Sequence, residues 1–138
     1  MKSQRRIFAI LALVQGIYYG PTGLWAIVHI ESFKLVTGEK TDNLPSGLDV
    51  DHWLVYTVAI LIVSIAVGLL VGGARKSVGP ELIAMAIVAA VGLMAIDVIY
   101  VTRGVIRPIY LLDAVFQGAL VLAWIAAIFW VRQDHATS

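Results

Sequence analysis

Asp97 and Asp113 are the residues whose type and setting could do chemistry. Each sits a little over one helical turn inside a hydrophobic stretch, and the short segment Thr102-Arg103-Gly104-Val105-Ile106-Arg107 joins the two stretches. A carboxylate surrounded by hydrocarbon is costly, so an intramembrane acid is read first as a functional candidate: a holder of a head group, a proton carrier or a cation ligand. With a helical rise of about 1.5 Å per residue, both acids fall roughly 6 to 8 Å below their connecting loop. Antiparallel neighbours would therefore carry them at one depth. Asp97 and Tyr100 share a helix face at three-residue spacing, as do Tyr110 and Asp113, while Gln117 follows Asp113 at four. His29 and Glu31, ending the first apolar stretch, and His52 and Tyr56, opening the second, belong to the same end of the molecule. The opposite half offers little that is polar beyond Gln15.

The elements that must position these groups are transmembrane helices. The chain has 138 residues, of which 60% are hydrophobic and 14% charged, with a mean hydropathy of +0.90. Four stretches reach the roughly 20 apolar residues that a helix needs to cross a bilayer core: residues 7–30, 53–73, 81–101 and 108–131. The expected fold is all-α, a single transmembrane domain over residues 1–138 built as an integral-membrane four-helix antiparallel bundle. Lys2, Arg5, Arg6, Arg75, Lys76 and Arg132 fall on one side of it, and Lys34, Lys40, Arg103 and Arg107 on the other. The more basic side is cytoplasmic by the positive-inside rule, which puts both termini inside and the acids toward the outer face of the plasma membrane. The start Met-Lys-Ser-Gln-Arg-Arg imitates a signal peptide, but the apolar run continues to Ile30 without a small-x-small cleavage site, so an uncleaved first helix is expected.

The outer loop, residues 31–52, is the long one. Phe33, Leu35 and Val36 around Lys34 suit a short amphipathic turn ended by Gly38. The loop also carries Glu31, Glu39, Asp42, Asp49 and Asp51, onto which Arg103 and Arg107 of the second outer loop can dock as a charge-paired cap. On the inner side Gly72-Gly73 closes the second helix and Gly79-Pro80 opens the third. Gly16-Ile17-Tyr18-Tyr19-Gly20 and Gly68-Leu69-Leu70-Val71-Gly72 have the small-xxx-small spacing that lets helix backbones approach closely. Pro21 should kink or locally open the first helix. Trp25, Trp53, Tyr56, Tyr100 and Tyr110 fit an outer aromatic belt, and Trp124 with Trp130 an inner one.

Three readings of the polar cluster compete. In the structural one, Asp97 and Asp113 pair with Arg103, Arg107 or tyrosine hydroxyls and lock the hairpin, because a polar group in lipid must be satisfied internally. In the second, the carboxylates, tyrosines and arginines hold the head group of a lipid-like or quinone-like molecule. In the third, His29, His52, Asp97 and Asp113 are metal ligands, although no close ligand-spacing motif supports them. Gly-x-Ser-x-Gly, phosphate-loop and His-Glu-x-x-His motifs are absent, and a chain without cysteine excludes disulfide and thiolate chemistry. The net charge of +1 and the scattered basic residues give no reason to invoke nucleic acid. No cofactor is named by any motif.

Val36-Thr37-Gly38, Lys40-Thr41-Asp42, Trp53-Leu54-Val55 with Thr57-Val58, Asp97-Val98 with Tyr100, and Tyr110-Leu111-Leu112-Asp113 together resemble a group of small bacterial four-helix integral membrane proteins of uncharacterised function. In that group Lys-Thr-Asp runs almost directly into Trp-Leu-Val, whereas residues 43–52 intervene here, so the resemblance does not assign His52 and the loop acids to a shared site. It implies the architecture and a role for Asp97 and Asp113. A looser likeness to DoxX-type proteins rests on size and span number, and fold-level likeness carries no function. The leading expectation is a non-enzymatic accessory or interaction subunit of a membrane complex, in contact with membrane lipids and a protein partner or further copies of itself. The alternative is a lipid- or quinone-binding membrane enzyme or carrier.

Overall fold

A computed structural model of the chain describes residues 2–38 and 52–136. Among the described residues there are five helices: α1 (Lys2–Val28), α2 (Ile30–Thr37), α3 (His52–Ala74), α4 (Pro80–Thr102) and α5 (Tyr110–Ala136). α1, α3, α4 and α5 are each long and apolar enough to cross a membrane. Their outward faces are mostly aliphatic, with Ile17, Val28, Leu61, Val88, Leu112 and Leu122 among the exposed side chains. Such surfaces suit lipid rather than water.

Local sequence explains the boundaries. α1 stops at Val28, not at Ile30, because His29 leaves helical geometry with φ −139° and ψ 62°. The chain turns there into α2, the amphipathic turn expected around Lys34. Trp25 fastens this joint: its indole N–H donates to Ser32 Oγ at 2.8 Å, and the Ser32 hydroxyl donates to the His29 carbonyl at 3.0 Å. Gly38 ends α2 at φ +98°, with its N–H on the Lys34 carbonyl at 2.7 Å. Pro80 occupies the first turn of α4, where its missing N–H costs nothing. At the other end Gly104, at φ +69°, donates to Val101 O and Val105 N–H to Tyr100 O, both at 2.9 Å, a Schellman closure. α5 begins two residues after Pro108 rather than on it. Pro21 does not open α1, which stays helical throughout; the Thr22 hydroxyl adds a bond to the Tyr18 carbonyl at 2.7 Å.

α1 packs chiefly on α3 and α4 chiefly on α5, while α1–α5 and α3–α4 contacts close the ring. Small residues set the α1–α3 distance. A Cβ on Gly16 would stand 2.8 Å from Leu70 Cγ and 3.1 Å from Ala66 O, and one on Gly23 2.9 Å from Ala59 O. From the α3 side, a Cβ on Gly73 would stand 2.9 Å from Ala9 O. The Gly16-to-Gly20 spacing thus serves packing within the chain, as the small-xxx-small rule implies. Gly68 and Gly72 instead face Leu82 of α4.

Trp124 is not a belt residue. It is fully buried with Ala12, Leu69 and Ala86, and its ring stacks on Phe8 at 6.1 Å between centroids. Its indole N–H donates to Gln15 Oε1 at 2.7 Å, and Gln15 Nε2 donates to the Ala86 carbonyl at 2.9 Å. One glutamine from α1 therefore ties α4 and α5 together in the half of the bundle that has little other polarity. Trp53, Trp130 and Tyr100 are exposed, as belt residues are.

Candidate functional site

At the other end of the bundle the helices part around a cavity of about 610 Å³. Every helix contributes to it. Tyr18, Tyr19 and Thr22 come from α1, Phe33 and Thr37 from α2, Val55 and Val58 from α3, Leu93 and Asp97 from α4, and Asp113 and Gln117 from α5. The walls are mainly aliphatic and aromatic, and the polar groups gather where α1, α4 and α5 meet.

Those groups form one hydrogen-bonded chain. The Tyr18 hydroxyl donates to Asp113 Oδ1, and Gln117 Nε2 donates to the same oxygen at 3.3 Å. The Tyr19 hydroxyl in turn donates to Gln117 Oε1 at 2.8 Å. Bonds from hydroxyl to carboxylate are among the stronger ones a side chain makes. Helical spacing puts Asp113 and Gln117 on one stripe of α5, and adjacent Tyr18 and Tyr19 reach them from α1. Asp97, only 6% exposed, enters the same cavity from α4. Two carboxylates from consecutive helices thus line one cavity with a tyrosine of a third. The ring of Tyr18 rests on Phe116 at 4.1 Å between centroids, which holds its hydroxyl toward Asp113.

Of the polar cluster singled out by sequence, Asp97, Tyr110, Asp113 and Gln117 line the cavity and Tyr100, Arg103, Arg107, His29, Glu31, His52 and Tyr56 do not. Arg107 turns away from the carboxylates: its guanidinium donates to the Leu35 carbonyl at 3.1 Å and its side chain passes over Gly38. Among the described residues, the α4–α5 loop reaches the first outer loop through this backbone carbonyl. Arg103 lies over the Tyr100 ring at 6.0 Å, away from the cavity. Glu31 pairs with Lys34 at 3.4 Å, and Lys34 Nζ also reaches His52 Nε2 at 3.2 Å. His52 faces Tyr56 edge-on at 6.3 Å between rings, and His29 is the exposed joint between α1 and α2. Glu39, Lys40, Asp42, Asp49 and Asp51 of the expected cap lie outside the described residues. Among the described residues, no three histidines or acids come together in a way that could hold a metal ion, and neither His29 nor His52 lines the cavity with Asp97 and Asp113.

Tyr18 and Tyr19 are the functional candidates that sequence reasoning missed. Their signal was present: two adjacent tyrosines deep inside a span, with Gln15 four residues before Tyr19, must find partners within the protein. They were read only as the filling of a glycine spacing.

The site is apolar over most of its wall and carries acids, phenols and an amide at one end. Such a cavity can bury an amphiphilic molecule and hold its polar end by hydrogen bonds. No protein-family model, curated protein or solved structure matches this chain.

Proposed function

We propose that this chain is a multi-pass plasma-membrane protein that holds a lipophilic small molecule, lipid-like or quinone-like, in the cavity between its helices. The observation that carries the reading is the meeting of an apolar cavity of about 610 Å³ with the Tyr18–Asp113–Gln117–Tyr19 chain and Asp97 at one end of it. A network needed only to lock helices would be filled by side chains, as the Gln15–Trp124 network is. The accessory-subunit reading has no comparable support, since aliphatic outward faces are what lipid contact alone requires.

The four spanning helices are proposed to be antiparallel, with both termini cytoplasmic and the cavity toward the outer side. The reversed contact order supports the first part: Gly73 sits by Ala9 and Leu13, Gly16 by Ala66 and Leu70, and Gly23 by Ala59 and Val63. The distribution of basic residues supports the second. Labelling Ser46→Cys and Ser77→Cys from outside intact cells tests orientation in a chain with no other cysteine; the account expects only the first to react.

The binding role is tested with Asp97→Asn and Asp113→Asn, which keep side-chain size and remove charge. Small molecules extracted from the purified wild type and variants are compared by mass spectrometry, with thermal stability measured in the same detergent. A binding role predicts selective loss of one molecule from a folded variant. Lower stability with an unchanged set of bound molecules would show that the carboxylates are only structural.

A further inference from the structure

We infer that the occupant of the cavity is a lipophilic amine in its protonated form, rather than a quinone, a neutral lipid or a phospholipid. The inference rests on the cavity reading above and adds the chemistry of the head group. It follows from the balance of donors and acceptors on the wall. Tyr18, Tyr19, Thr22, Trp25, Thr37 and Gln117 each already donate to an acceptor within the chain. A quinone presents only carbonyl acceptors, so, the second N–H of Gln117 aside, binding one would require these donors to leave the partners they have. Acceptors are in surplus. A carboxylate offers about four lone-pair sites, and the bonds that Asp113 receives from Tyr18 and Gln117 both fall on Oδ1.

Charge points the same way. Among the described residues, the lining contains two carboxylates and no lysine, arginine or histidine. Arg107, which could have neutralised them, is turned to the Leu35 carbonyl. A bound phosphate would meet carboxylates with no cation from the described residues beside them, which disfavours a phospholipid head group. A two-chain phospholipid is also large for this space, since cavities of about 300 to 1,000 Å³ hold drug-sized molecules. An ammonium group brings the donors and the positive charge that the wall lacks. The rings of Tyr18, Trp25, Phe33 and Tyr110 add π faces of the kind that attract such cations, while the aliphatic wall takes the carbon skeleton.

The test uses three probes at neutral pH on the full chain in mild detergent: 1-adamantanamine, its near-isostere 1-adamantanol, and decylubiquinone. Equilibrium dialysis gives the stoichiometry and affinity of each. The amine is expected to bind saturably at about one per chain and about tenfold or more tighter than the alcohol, as a charge-assisted bond implies. That preference should vanish in the Asp97→Asn/Asp113→Asn double variant. Asp113→Glu, which keeps the charge, should retain it even if the double variant folds poorly. Equal binding of amine and alcohol, or a preference unchanged in a folded double variant, would overturn the amine inference and leave the cavity reading standing. Tighter binding of decylubiquinone would also overturn it and favour the quinone version of that reading. Binding of none of the three, together with no small molecule extracted from the native protein, would overturn both.

Discussion

Replacing Gly23 and Gly20 by alanine, one at a time, separates close helix approach from helix propensity, because the two substitutions are chemically identical and lie one turn apart on α1. Each gains about 1 kcal/mol of intrinsic helix preference. At Gly20 the new Cβ would stand 3.9 Å from Ala66 Cβ, an ordinary contact, so that gain survives. At Gly23 it would stand 2.8 Å from Val63 Cγ2 and 2.9 Å from Ala59 O. A valine methyl can turn aside, but a backbone carbonyl cannot, so α1 and α3 must separate by a few tenths of an ångström. Overpacking of this kind costs about 1–3 kcal/mol. Gly20→Ala should therefore be the more stable variant by about 1–3 kcal/mol, or on the order of 4–12 °C in Tm for a chain of this size. Thermal unfolding followed by far-UV circular dichroism in a single detergent gives the comparison. Equal stability, or a more stable Gly23→Ala, would refute the claim that backbone contact at this glycine sets the α1–α3 distance.

Further substitutions probe the Gln15–Trp124 network and the α2 end of the bundle. Gln15→Leu should destabilise the protein by about 1–3 kcal/mol, because the buried Trp124 indole N–H loses its acceptor; unfolding by an added anionic detergent measures it, and Trp124→Phe in the same background should then cost little more. Arg107→Ala removes the bond to the Leu35 carbonyl, so amide exchange over residues 33–38 should quicken while that of α4 stays unchanged. Gly38→Ala places a side chain at φ +98° and ψ 153°, a region open essentially to glycine, and should cost about 1–3 kcal/mol by the same unfolding assay.

Much of the architecture was legible in the residues. Hydropathy alone located the four spanning helices, and Gly38, Gly72-Gly73 and Gly79-Pro80 marked ends that the structure keeps to within a residue or so. His29 was not a readable terminator, since nothing in a histidine's propensity forces the turn; the turn is held by Trp25 and Ser32, which meet only after folding. Burial of Trp124 was equally hidden, because a tryptophan near a span end looks like an interfacial anchor until its Gln15 partner on another helix is known. Asp97, Tyr110, Asp113 and Gln117 were found because intramembrane acids stand out and helical spacing links their neighbours. Arg107 takes the Leu35 backbone carbonyl, a partner that charge pairing does not suggest, while four of the acids expected to receive the arginines lie outside the described residues. Tyr18 and Tyr19 escaped because their partners on α5 are nearly a hundred residues away, at separations of 95 and 98.

The central claim is that the cavity holds a small molecule, and native mass spectrometry tests it most directly. The protein is extracted in mild detergent from its own membrane and compared with a Val55→Trp/Leu93→Trp variant, in which two cavity-lining aliphatic residues become bulky. The account predicts one stoichiometric lipophilic molecule on the wild type that the folded variant lacks. A wild type carrying no small molecule, or a folded variant that retains the same one, would contradict it.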